Sequence, residues 1–140
     1  MNKIKIYFLC TGNSCRSQMA EGYAKDMFSA SKYEIRSAGV EIHGLNPLAV
    51  KVMAEDGIDI STHKSKVIDI EFFNSANFII TLCGDARDKC PVIPPQTKSF
   101  HWPLPDPVQV KATGDKQLIA FRNVRDEIKY RITQLSQLNL

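Results

Sequence analysis

Residues Cys10-Thr11-Gly12-Asn13-Ser14-Cys15-Arg16 set five residues between a cysteine and an arginine, directly after the apolar run Ile4, Ile6, Tyr7, Phe8 and Leu9. A loop passing from a strand into a helix presents free backbone N–H groups and the positive end of the helix dipole. It therefore holds an oxyanion and favours the thiolate of a cysteine placed in it. Arg16 adds a planar fork of donors that meets two oxygens of a tetrahedral anion, a geometry lysine cannot copy. The segment is read as an anion cradle formed by Thr11, Gly12, Asn13, Ser14, Cys15, Arg16 and Ser17, with Cys10 at its floor as a thiolate nucleophile. A cysteine at a strand end is often only a core residue. Two cysteines, an arginine, a glycine and an asparagine within seven residues weigh against that reading.

Two further cysteines, Cys83 and Cys90, follow the strand-like run Phe78-Ile79-Ile80-Thr81-Leu82 with six residues between them. Their spacing is wider than the cysteine-x2-4-cysteine pairing usual in structural zinc sites, and His43, His63 and His101 do not cluster in the sequence. Cysteines in a chain with no secretory signal point to catalysis or redox chemistry rather than a static disulfide framework. The segment Gly84 to Lys89 between them reads as a polar loop that costs little to loosen. Cys15 reads as a packing residue beneath the cradle or an auxiliary thiol, Asn13 as a brace for the loop backbone, and Ser17 as a hydrogen-bond partner of Cys10. The three histidines read as loop or surface residues, and Trp102 as core or as a wall of the site.

These residues need a scaffold, and the chain alternates strand and helix patterns as a parallel sheet covered on both faces requires. The expected strands are Lys3 to Leu9, Tyr33 to Ser37, Asn77 to Leu82 and Lys98 to Trp102. The expected helices are Ser17 to about Phe28, one capped by Asn46 and opened by Pro47 that stops at Gly57, a short one near Asp69 to Asn74, and a long amphipathic one from Asp115. Pro103 to Pro107 reads as irregular. In an open α/β sheet ligands bind beyond the carboxyl ends of the strands, which gathers the Cys10, Cys83 and Asp106 segments around one site.

With 140 residues, 44% hydrophobic, the chain is sized for one domain over 1–140. A formal net charge of only +3 gives no reason to expect nucleic acid. No apolar stretch spans a bilayer, and Met1 to Lys5 runs into strand residues with no signal-peptide pattern, so a soluble cytoplasmic monomer is expected.

Cys10 through Glu21, the Cys83 and Cys90 pair with Pro91, Asp106-Pro107, and Phe121-Arg-Asn-Val-Arg-Asp-Glu-Ile128 together resemble the thioredoxin-coupled arsenate reductases, which share the low-molecular-weight protein tyrosine phosphatase fold. The similarity runs over nearly the whole chain. It implies an α/β domain whose four-stranded parallel sheet is flanked by helices. It further implies that Cys10 attacks arsenate, Arg16 and the loop hold the oxyanion, and Asp106 supplies a proton. Cys83 and Cys90 then carry a disulfide outward, to be reduced by thioredoxin rather than glutaredoxin, with no cofactor. The alternative is a phosphatase of the same fold using Cys10, Arg16 and Asp106 on phosphate monoesters. Phosphatases of the fold usually carry proline where this chain has Gln18, and an aromatic where it has Val108. Relatives also bind potassium through positions matching Asn13, Glu21 and Ser37, with an aspartate where this chain has Lys66. The Lys66 ammonium is expected either to stand in for the ion against Glu21 or to point to solvent.

Overall fold

Strand β1 (Ile4–Cys10) pairs in parallel with β2 (Tyr33–Gly39) on one side and β3 (Phe78–Thr81) on the other, and β4 (Lys98–His101) pairs in parallel with β3. The sheet order is β2-β1-β3-β4. In this computed structural model residues 3–110 and 114–138 are described; Met1, Asn2, 111–113 and 139–140, which the expected 1–140 domain includes, lie outside them. Ile6 to Cys10 are all buried, as an inner strand covered on both faces must be. On one face Tyr7 meets Phe72 edge-on at 4.7 Å. On the other, Phe8 lies 6.2 Å from Trp102, over which Arg131 stacks.

Among the described residues five helices complete the layers: α1 (Arg16–Met27), α2 (Pro47–Glu55), α3 (Ile70–Ser75), α4 (Gly84–Lys89) and α5 (Asp115–Ser136). Asn46 caps α2 by accepting from the Leu48 N–H at 2.8 Å, and Pro47 opens it, as the residue types dictate. Asp69 caps α3 in the same way. In α5 the buried residues Phe121, Val124, Ile128, Ile132 and Leu135 recur at helical spacing and pack on the core. The four-stranded parallel α/β sheet is as the sequence predicts.

Three local features differ from expectation. Strand β2 continues past Ser37 to Gly39, because Leu9 and Cys10 of β1 supply partners for Ala38 and Gly39. The segment Gly84–Lys89 is the helix α4 rather than a loop. Its sequence carries helix formers after the glycine, Ala86 is fully buried, and Cys83 caps it by accepting from the Ala86 N–H at 3.3 Å. Proline-rich as it is, the stretch beyond β4 also closes into one 3-10 turn at Pro107–Gln109, opened by Pro107 and capped by Asp106.

Candidate active site

The cradle begins where β1 ends. Asn13 takes a left-handed backbone with φ of 50°, a conformation that asparagine tolerates better than most residues. Every carbonyl from Cys10 to Cys15 is engaged away from the loop's concave side. Those of Cys10, Thr11, Gly12 and Ser14 accept from the N–H groups of Val40, Glu41, His43 and Asn46, in that order, at 3.0–3.3 Å. Gly12 O also accepts from Ser65 Oγ, Asn13 O from Gln18 Nε2, and Cys15 O from the Met19 N–H. Occupied carbonyls leave the loop amides and the start of α1 to meet an anion. The segment after β2 thus acts as a splint for the cradle. It runs so close that a Cβ on Gly39 would fall 2.6–2.7 Å from the backbone atoms Glu41 O, Asn13 N and Thr11 O. Glycine is required there for close approach.

The cavity so formed has a volume of about 410 Å³ and is lined on the cradle side by Cys10, Thr11, Gly12, Ser14, Cys15 and Arg16, and opposite by Asp106, Val108 and Gln109. Asn13 and Ser17, expected to touch the oxyanion, are fully buried and do not line it. They act from beneath. Asn13 Nδ2 donates to Ser17 Oγ at 2.8 Å and to Ser37 Oγ at 2.9 Å, while Asn13 Oδ1 accepts from Gln18 Nε2 and the Lys66 N–H. Because Ser17 already accepts from Asn13, its own proton is free for Cys10 Sγ, 2.8 Å away.

Arg16 is 6% exposed, and its guanidinium donates through Nη1 to Leu104 O at 3.1 Å, with Nη2 3.6 Å from Asp106 Oδ2. Arg16 Nε is buried with no hydrogen-bond partner among the described residues. A buried donor without a partner is costly, and an anion in the cavity would satisfy it. Asp106 both lines the cavity and caps the 3-10 turn through the Val108 N–H. Burial, followed by the nearby Cys10 sulfur, pushes the Cys15 thiol up to about 12. Cys15 is 5% exposed and packs with the core.

Cys83 is buried at the end of β3, with its sulfur 3.2 Å from Thr11 Oγ1, the hydroxyl next to Cys10. Cys90, at the far end of α4, is half-buried, and burial raises its thiol above the ordinary range. The structure therefore gathers Cys10, Arg16, Cys83 and Asp106 around one loop and sets Cys90 two helical turns away.

Beneath the cradle, Lys66 does not meet Glu21. Its side chain is exposed and donates to Lys64 O at 3.0 Å. Glu21 instead pairs with Lys25 one turn on along α1 and accepts from Ser37 Oγ. Burial works to raise the Glu21 carboxyl, but the bonds from Lys25 and Ser37 outweigh it and hold it below the ordinary range. The side-chain oxygens of Asn13, Glu21 and Ser37 all accept from protein donors, and of the two placements expected for Lys66, against Glu21 or toward solvent, the structure has the second. Trp102 lies against Phe8 and Arg131, away from the cavity. His63 bonds Gln18 Oε1 and His101 bonds Thr81 Oγ1, so neither reaches the site. His43, read from the sequence as a loop or surface residue, lines the cavity together with Asn46. Nothing in the local sequence flags these two; their role appears only once the splint lies along the cradle.

A buried cysteine at the floor of an amide cradle, an arginine fork and a carboxyl across the cavity are the parts with which a phosphatase-like anion loop could hold and attack a tetrahedral oxyanion. Residues 5–139 match the family of low molecular weight phosphotyrosine protein phosphatases, and the chain belongs to that family. It is 52% identical to an arsenate reductase of Bacillus subtilis (strain 168) over 136 residues, 97% of this chain and 96% of that relative. A solved arsenate reductase in the phosphate binding state superposes with a TM-score of 0.75 at 37% identity, covering 95% and 96% of the two chains. A low molecular weight protein tyrosine phosphatase from T. tengcongensis gives 0.79 at 26% identity, over 95% and 97%.

Proposed function

We propose that this protein reduces arsenate to arsenite through a thiol–disulfide relay and that thioredoxin regenerates it. The single observation that carries the reading is the placement of a second cysteine, Cys83, beside Thr11 of the cradle, with a third, Cys90, on the same short helix. Hydrolysis of a phosphate ester needs one thiol; a two-electron reduction needs a pair. Arsenate matches phosphate in charge and shape, so the same amides and Arg16 receive it.

Cys10 Sγ attacks arsenic, forming an S–As bond, while a protonated Asp106 gives its proton to a departing arsenate hydroxyl, so that the As–O bond breaks and the hydroxide leaves as water. Cys83 sulfur then attacks Cys10 sulfur. The S–As electron pair stays on arsenic, which departs as arsenite in the As(III) state, and a Cys10–Cys83 disulfide forms. Cys90 attacks Cys83, expels Cys10 as thiolate and leaves a Cys83–Cys90 disulfide. A dithiol reductant, thioredoxin in this reading, takes that disulfide back to two thiols and is itself oxidised.

The test is arsenate-dependent NADPH oxidation with thioredoxin and thioredoxin reductase, run beside glutaredoxin and beside hydrolysis of p-nitrophenyl phosphate. Turnover with the thioredoxin system is expected. Ester hydrolysis without any arsenate-dependent NADPH consumption would replace the reading with a phosphatase.

A further inference from the structure

The splint that engages the carbonyls of the cradle also delivers a side chain into the cavity. The His43 N–H donates to Gly12 O at 3.0 Å, which anchors the residue to the loop. Its ring then lies over the face of Gly12. A Cβ on Gly12 would fall 2.1 Å from His43 Nδ1 and 2.7 Å from His43 Cβ, so the glycine is the space the imidazole occupies. The opposite nitrogen, Nε2, is 3.5 Å from Glu41 Oε1, a contact that orients the ring. Among the described residues that line the cavity, only Arg16 and His43 can carry positive charge. Arg16 is buried at one side, whereas His43 is half-exposed at the rim.

That difference in depth matters for what the cavity accepts. A tetrahedral anion held by loop amides and Arg16 keeps one oxygen facing outward. In arsenate that oxygen is a free oxide or hydroxyl, able to hydrogen-bond; in a phosphate monoester it carries an organic group and needs room. We propose that His43 is a specificity-determining residue: its imidazole binds the outward oxygen of an inorganic tetrahedral anion and crowds an ester substituent on it. The proposal rests on the reading of this cavity as the reducing site, and it adds the residue by which that site prefers inorganic anions to esters.

Reduced wild type, His43→Ala and His43→Gln should be compared in three assays: calorimetric binding of inorganic phosphate, thioredoxin-coupled arsenate kinetics, and hydrolysis of p-nitrophenyl phosphate. Thermal melting accompanies each variant. In His43→Ala, phosphate binding should weaken and the arsenate KM should rise roughly five- to tenfold, the size of one lost charge-assisted hydrogen bond at a half-exposed position. The melting temperature should hold, and kcat/KM for the ester should stay level or rise. His43→Gln, which keeps a donor, should recover most of the loss in KM. Unchanged phosphate affinity in His43→Ala would overturn the proposal, and so would equal losses on arsenate and ester accompanied by a lower melting temperature. A wild type that reduces no arsenate would defeat the reading of the activity instead, while the phosphate and ester assays would still decide the role of His43.

Discussion

Ser17 can donate to the Cys10 sulfur because Asn13 already supplies a donor to the Ser17 oxygen, and Asn13 is free to do so because Gln18 and the Lys66 N–H hold its other end. Ser17→Ala removes that donor and should slow arsenate reduction and any ester hydrolysis alike, by about tenfold, if both begin, as proposed, with attack by Cys10. Single-turnover kinetics check it; a loss confined to one of the two reactions would count against a shared first step. Cys15 behaves differently despite lying five residues nearer the helix. Its thiol is pushed up to about 12, above the unfolded value, so it stays protonated at pH 7 while buried. Brief alkylation of the native protein at pH 7 followed by peptide mapping should mark Cys10 and spare Cys15. Among the relay cysteines the roles separate by reaction: Cys10→Ser should abolish reduction and hydrolysis together. Cys90→Ser should abolish only multiple-turnover reduction and leave one equivalent of arsenite released per chain.

Helix α4 holds Cys83 at one end and Cys90 at the other. A helix rises about 1.5 Å per residue, so their Cα atoms stand roughly 10 Å apart, beyond the reach of about 7 Å that a disulfide allows. Formation of a Cys83–Cys90 bond therefore requires α4 to unwind. A six-residue helix has little to hold it, and among its described side chains Ala86 and the Cys83 cap tie its first turn to the core. After arsenate treatment of the reduced protein, amide exchange should rise across 84–90 and mapping should find Cys83 joined to Cys90; in Cys90→Ser the trapped bond should be Cys10 to Cys83 with α4 more protected. A disulfide with unchanged exchange in α4 would refute the unwinding. The splint between β2 and α2 makes the opposite demand, for rigidity. Gly39→Ala would set a methyl within 2.7 Å of three backbone atoms, forcing splint and cradle apart. A loss of about 1–3 kcal/mol in stability is expected from such overpacking, with phosphate affinity falling in parallel, as denaturant titration and calorimetry would show.

Across the whole molecule the splint leads into α2, and α2 is tied at its C-terminal end to α5. Arg122 and Arg125 both meet Glu55, and Lys129 meets Asp56. Hydrogen bonding from Arg122, aided by the charges of Arg122 and Arg125, brings the Glu55 carboxyl from 4.5 down to about 2. A carboxyl whose folded value is depressed adds stability above its unfolded value and loses it as pH falls toward the folded one. Glu55→Gln should thus lower the melting temperature at pH 7, with the difference from wild type shrinking between pH 4.5 and 2 and diminished by salt at any pH. How much of this was legible in advance follows the range of the forces involved. The amino-acid sequence by itself determined the four parallel strands, the Asn46–Pro47 helix start, the α5 stripe and the gathering of Cys10, Arg16, Cys83 and Asp106 at the carboxyl ends of strands. Those depend on local periodicity, capping chemistry and the topology of a parallel sheet. Asn13 as a brace and Ser17 as the partner of Cys10 were legible too, whereas only the tertiary structure decided that neither lines the cavity, that Lys25 rather than Lys66 meets Glu21, that 84–89 is helical, and that His43 covers Gly12. Each of these turns on which carbonyl, amide or ring meets a partner brought in by the fold, such as Gly12 O with the His43 N–H, and no spacing along the chain encodes that meeting.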